Sequence, residues 1–304
     1  MKYTLLTQGQ GAQFVLMGKD FHENFSLFRQ TMEEAEDITR LPIRSWIYEG
    51  SQENLSETNK SQLSIYATTI GIYRVLHEVC PSLEFHKGIG LSLGEYSILT
   101  IANALSYSDC LHLVKTRGEL MQAAAMEREG RMAAVIGLAQ EKIAPHLYGT
   151  SVVANLNTPL QTVISGSKED IEQSIENLKK NGAKRVIPLD VCGAFHSSLM
   201  MSAYEKFYPI VEQTPFHAPS FDVVMNASAR SEKDPARIKD LLAKQLISSV
   251  KLSESIQTVG DFAPFLELGP GTVVKGLVQK NIEARVISVN TVKDLKEFEV
   301  CAFL

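Results

Sequence analysis

"MAAVIGLAQEKIAPHLYGTSVVANLNTPLQTVISGSKEDIEQSIENLKKNGAKRVIPLDV" occupies residues 132–191, and its order of apolar and amphipathic segments decides how the chain is organised. "MAAVIGL" (132–138), "SVVANL" (151–156), "QTVISG" (161–166) and "KRVIPLDV" (184–191) are apolar runs of strand length. "EKIAPHL" (141–147) and "KEDIEQSIENLKKNG" (168–182) read as helical. In the second of these Ile171, Ile175 and Leu178 fall on one face, and Gly182 supplies the stop. The order is β-α-β-β-α-β, the split ferredoxin-like unit. Residues 130–191 are therefore expected to form a small inserted domain, with 1–129 and 192–304 making a larger body around it.

Working outward, "YTLLT" (3–7) reads as a strand that runs into the glycine-bearing loop "QGQGAQ" (8–13), and "SQLSIYATTIGIYRVLHEVC" (61–80) as a helix. "FLELGPGTVVKGL" (265–277) reads as strand, Gly-Pro-Gly turn and helix, and "ARVISVN" (284–290) as a further strand. Strands alternating with helices make the class α/β. Within this frame "GLSLGEYS" (90–97) carries a G-x-S-x-G pattern, the mechanical form of a nucleophile elbow that lifts the Ser92 hydroxyl out of a sheet. The strand it needs is supplied only weakly by "HKGIG", and an ordinary Gly/Ser turn accounts for the same residues.

With 304 residues, 44% of them apolar and 21% charged, the chain has ordinary globular composition, enough for one large domain with an insertion. A formal charge of -5 argues against a general nucleic-acid binder. No run suits a secretory signal or a bilayer span, so a cytoplasmic protein is expected. Cys80, Cys110, Cys192 and Cys301 lack C-x-x-C spacing and read as reduced thiols. The seven histidines contain no H-E-x-x-H pair, and no metal is expected.

A serine hydroxyl needs a base to attack a carbonyl, and histidine is the usual one. His196, in the loop "GAFHSS", is the candidate, although a loop histidine bonded to local backbone fits equally well. His77 and His112 fall on helices, His146 in the small domain, and His22, His86 and His217 lack companion motifs. Arg117 stands out differently. On a helix begun after a Ser108 cap, Cys110, Leu113, Val114 and Met121 form an apolar arc with Arg117 in its middle. A snorkelling or structurally paired arginine explains this, and so does a guanidinium waiting for a substrate carboxylate. Both readings stand.

Taken in order, "GQGAQ" (9–13), "GLSLGEYS" (90–97), "RGELMQ" (117–122), "MAAVIGL" (132–138), "NLNTPLQTVISG" (155–166), "GAFHS" (193–197) and "LELGPG" (266–271) closely resemble the malonyl-CoA:acyl-carrier-protein transacylase family over nearly the whole chain. The resemblance implies an α/β-hydrolase-like large domain with a ferredoxin-like small domain, and a ping-pong acyl transfer. Ser92 would be the nucleophile and His196 its base, with the main-chain N–H groups of Gln10 and Leu93 as oxyanion hole. Arg117 would hold the malonyl carboxylate, and Gln245 would orient the histidine through its main-chain carbonyl. Gln62, Asn155, Asn157 and Phe195 would line the substrate site, the Phe195 ring favouring malonyl over methylmalonyl. The partners implied are malonyl-CoA as substrate and an acyl carrier protein of fatty-acid or polyketide synthesis, with no resident cofactor, no nucleic acid, no membrane and a monomeric chain. A carrier-protein hydrolase of the same fold, clearing stalled acyl chains, is the alternative.

The pattern also has departures. Thr7 and Gln8 stand where an aromatic residue and then Pro or Ala are usual, and Ser61-Gln62-Leu63 where T-Q-P is usual. Ser249 replaces a common proline and Leu91 a frequent histidine. None removes a catalytic group. They point to a divergent copy, such as one serving a polyketide or hybrid peptide assembly line in trans.

Overall fold

Adjacent apolar residues on one strand point to opposite sides of a sheet, so a strand apolar at every position needs cover on both faces. Leu5 and Leu6 do this here. Leu5 joins the main core and Leu6 a second apolar cluster across the sheet. The computed structural model describes residues 2–259 and 264–302, the side chains of 300–302 excepted. Cys301 thus lies outside the described side chains, while Cys80, Cys110 and Cys192 are free thiols.

The strands are β1 (Lys2–Thr7), β2 (Glu84–Gly90), β3 (Gly130–Ile136), β4 (Val152–Thr158), β5 (Gln161–Ser167), β6 (Arg185–Pro188), β7 (Asp222–Met225), β8 (Arg230–Glu232), β9 (Phe265–Leu268) and β10 (Val286–Val289). Six of them form the large sheet in the order β10-β9-β1-β2-β7-β8, parallel throughout except for the antiparallel β7–β8 edge. The weakly signalled strand before Ser92 is a full one of seven residues, paired with β1 on one side and β7 on the other. Its two glycines are tolerated because neighbours hold both of its edges.

The remaining four strands form a fully antiparallel sheet in the order β4-β5-β3-β6, the ferredoxin-like arrangement expected from their spacing. One helix covers it as anticipated. Helix Lys168–Lys180 starts on a Ser167 cap, carries Glu169 and Asp170 in its first turn and Lys179 and Lys180 in its last, and buries Ile171 and Leu178. Ile175 packs beside them, and Gly182 breaks away at a φ of 99°. The other expected helix is absent. Residues 141–147 form 3-10 turns at Gln140–Lys142 and Ala144–His146, because Pro145 has no N–H to donate and disfavours helical geometry at Ala144. Buried Ile143 still plugs that end of the small core.

The segment before helix Leu252–Gln257 is bound to the outer edge of the small sheet. Val250 N–H donates to Ala154 O at 2.8 Å and accepts through its own carbonyl from Leu156 N–H at 2.9 Å. Ser249 Oγ adds a bond to Val153 O at 2.5 Å, a tie that the proline common at this position could not make. The helix preceding β3 runs Tyr107–Glu127 and is capped by Ser106, whose Oγ accepts from Asp109 N–H, rather than by Ser108. The shift of cap leaves the apolar arc in place. No helix among the described residues is long and apolar enough to cross a membrane.

Leu178 is fully buried in the small core. Leu178→Ala is expected to cost about 2–5 kcal/mol in urea unfolding, a loss that an exposed-face change such as Gln173→Ala would not produce.

Candidate active site

Where β2 ends, the chain turns sharply into helix Gly94–Ile101 with Ser92 in the left-handed region at a φ of 51°. The flanking glycines follow from sterics. A Cβ on Gly90 would overlap the Gly94 backbone, and one on Gly94 would lie 2.6 Å from Thr7 O. The β1 exit loop crosses the elbow just as closely, for a Cβ on Gly9 would lie 2.5 Å from Leu91 O. Gln10 therefore follows directly on a residue packed against the elbow.

That loop is held from below by Gln8, one of the departures noted above. Its buried amide donates to Glu267 Oε1 at 2.7 Å and to Gly271 O at 3.3 Å. Glu267 also accepts from Lys275 N–H and Ser288 Oγ. The β1 exit, the helix after the Gly-Pro-Gly turn and β10 are thereby joined through one carboxyl.

Ser92 Oγ lies 2.8 Å from His196 Nε2, and His196 Nδ1 lies 2.7 Å from Gln245 O. The carbonyl can only accept, so the ring carries its proton on Nδ1 and leaves Nε2 free to accept from the serine. His196, itself at a φ of 59°, is nearly fully buried. Burial first, and the nearby Arg117 charge second, push its pKa down to about 4. The imidazole is thus neutral, in the form a general base needs.

Arg117 is 1% exposed and has no carboxylate among its hydrogen-bond partners. One terminal nitrogen donates to Gln62 Oε1 at 2.5 Å. The other donates to Gln245 Oε1 at 2.9 Å and to Ser92 Oγ at 3.1 Å. Its Nε has no partner, and the guanidinium lies 5.5 Å from the centre of the Tyr96 ring. Burial lowers its pKa, yet a guanidinium stays cationic in a protein. A buried cation with neutral oxygens around it, in contact with a serine hydroxyl, is a receptor for an anion at the reacting atom.

The family model for the acyl transferase domain matches residues 4–301. The chain belongs to the acyl transferase domain family. A malonyl CoA-acyl carrier protein transacylase of Bacillus subtilis is 38% identical over 298 residues, covering 95% of this chain and 93% of that protein. The acyl-carrier-protein-S-malonyltransferase of Bartonella henselae has the same fold, with a TM-score of 0.94, 30% identity and complete coverage of both chains. A type II PKS acyl-carrier protein in complex with its malonyl-transacylase matches with a TM-score of 0.93, 31% identity, and 97% and 98% coverage.

In this acyltransferase, hydrogen bonds join Ser92, His196, Arg117, Gln245 and Gln62 directly, and Gln10 and Leu93 lie on the two loops beside them. Phe195 packs into the main core next to the histidine. Asn155 and Asn157 stand apart from that network, on β4. Asn155 bridges to Val250, and Asn157 accepts from Asn281 through its main-chain carbonyl while its side-chain oxygen has no partner. Two further residues escaped sequence reasoning, Glu95 and Asn226. Glu95 is a fully buried carboxyl inside the G-x-S-x-G helix turn, where a charge so close to an apolar run was itself a signal.

A base with a pKa near 4 is protonated only below that value, so acidification removes it there. The part of the acid limb of the kcat/KM profile for Ser92 acylation that belongs to His196 is expected near pH 4, rather than near the 6.5 of an exposed histidine. Stopped assays across the acid range, corrected for unfolding, check this.

Proposed function

We propose that the protein moves a malonyl group from coenzyme A to the phosphopantetheine thiol of an acyl carrier protein, through a malonyl ester on Ser92. The observation that carries this reading is the Arg117 guanidinium, buried among neutral partners and 3.1 Å from the Ser92 hydroxyl. A malonyl thioester places its free carboxylate one methylene from the carbonyl that reacts. With that carboxylate on Arg117, the carbonyl lies over Ser92.

The chemistry follows from the residues in turn. Ser92 Oγ attacks the thioester carbonyl as His196 Nε2 takes its proton, and the Nδ1–H bond to Gln245 O stabilises the resulting imidazolium. The oxyanion forms between the main-chain N–H groups of Gln10 and Leu93, in an electrostatic setting that the start of helix Gly94–Ile101 reinforces. Collapse of the intermediate breaks the carbon–sulfur bond, and His196 returns the proton to the departing coenzyme A thiol. The carrier's thiol then attacks the seryl ester by the same steps in reverse order.

Arg117 also explains selectivity, because a neutral acyl chain leaves its charge buried and unpaired. The Phe195 ring beside the base crowds an α-methyl branch, which favours malonyl over methylmalonyl. Asn155 and Asn157 would meet the acyl and pantetheine end from the small sheet. The chain acts as a monomer in fatty-acid or polyketide synthesis. The carrier-protein hydrolase raised as the alternative finds no support in the comparisons.

Arg117→Ala tests the reading. Intact-mass analysis is expected to show malonyl loading of Ser92 reduced by about a hundredfold or more, with acetyl loading retained. Malonyl loading undiminished by the change would refute the arginine's role.

A further inference from the structure

The transfer reading uses Ser92, His196, Arg117 and Gln245, and leaves unexplained why a carboxyl is buried directly behind them. We propose that Glu95 is a positioning residue: one buried carboxylate holds Asn226 with one oxygen and Gln245 with the other, setting the nucleophile's elbow and the base in a common frame. The inference rests on the transfer reading and extends it to the groups that keep its parts in register.

Each arm is visible. Glu95 Oε1 accepts from Asn226 main-chain N–H, and the Asn226 side chain then clasps the elbow, accepting from Ser92 N–H at 2.7 Å and donating to Gly90 O at 2.7 Å. That clasp spans the residue held at positive φ, the place where a side chain of ordinary bulk most needs external restraint. Glu95 Oε2 accepts from the Gln245 side-chain amide, which also donates to Ser92 O at 2.9 Å. With its amide nitrogen so engaged, Gln245 turns Oε1 toward Arg117 and its main-chain carbonyl toward His196 Nδ1.

The donor and acceptor pattern requires a carboxylate. Both oxygens face N–H donors, and the Gln245 amide cannot flip, since its oxygen takes the Arg117 guanidinium. A neutral amide at position 95 would turn an NH2 group against one of those donors. Burial raises the Glu95 pKa and outweighs the Asn226 N–H, the Gln245 amide and the Arg117 charge that oppose it, the balance lying at about 8. With Glu95 ionised, Gln245 lies between two buried opposite charges, its oxygen on the cation and its nitrogen on the anion. The first turn of helix Gly94–Ile101, the residue after β7 and the 245–247 turn meet on the Glu95 carboxyl.

The test compares the wild-type protein with Glu95→Gln and Asn226→Ala. Ser92 acylation by malonyl-CoA and by acetyl-CoA is followed by intact mass at about pH 9, where the wild-type carboxylate is formed, and folding is followed by circular dichroism. A positioning role predicts folded variants whose kcat falls by a common factor of about ten to a thousand with both donors, while KM for malonyl-CoA stays within about twofold. The common factor separates this role from that of Arg117, whose loss affects malonyl alone. Wild-type kcat in Glu95→Gln, or a lower melting temperature with unchanged kcat, overturns the proposal. If Glu95→Gln does not fold, Asn226→Ala decides by the same criterion. If the wild-type protein accepts acetyl but not malonyl, the malonyl reading fails, and the Glu95 comparison is read from acetyl.

Discussion

A guanidinium withdrawn from water must have its N–H groups met by something, and the partners chosen for it decide what it can do next. In this protein Arg117 is met by two amide oxygens and a serine hydroxyl. A carboxylate in contact would have satisfied the charge and ended its usefulness. Neutral partners hold the group in one place and leave its charge for an incoming anion. Much of the surrounding structure serves that condition. Gln62 comes from the long helix Thr58–Val79, Gln245 from the far end of the chain, and Ser92 from the elbow between β2 and its helix.

Holding such a site together places demands on backbone as well as side chains. The elbow exists because Gly90 and Gly94 allow two backbone segments to touch, and Gly9 allows a third to approach. The same crowding puts Ser92 at positive φ, a conformation that the Asn226 clasp stabilises. Desolvation keeps His196 neutral, and the Arg117 charge reinforces it. One buried cation thus does two things, attracting the substrate's anion and keeping the base unprotonated.

Three of the departures from the family pattern have local accounts. Gln8 replaces a residue without a side-chain donor and ties the β1 exit loop to Glu267 beneath it. Ser249 replaces a proline and bonds across to β4. Leu91, where a histidine is frequent, packs against the second apolar cluster. Each of these three adds a contact within the scaffold, outside the Ser92, His196 and Arg117 cluster.

The sequence by itself determined the class of fold and the order of its parts. Apolar periodicity, the Ser167 to Gly182 helix and the glycine pairs depend on neighbours a few residues away, so residues 132–191 announced a ferredoxin-like unit, and 90–97 offered an elbow that an ordinary Gly/Ser turn matched equally well. Local rules misjudged 141–147, where Pro145 overrode an amphipathic pattern, and misplaced the cap of the Arg117 helix by two residues. They could mark Arg117 as an arginine on an apolar face but could not say whether a carboxylate answered it. That depended on Gln62 and Gln245, which are 55 and 128 residues away along the chain. Asn226 was invisible for the same reason, and Glu95 showed only as a charge beside an apolar run, since their bonds close loops of 131 residues and more. Tertiary structure decided which polar groups meet in the dark of the core, because a hydrogen bond's partner is set by the folded path of the whole chain and by no local pattern.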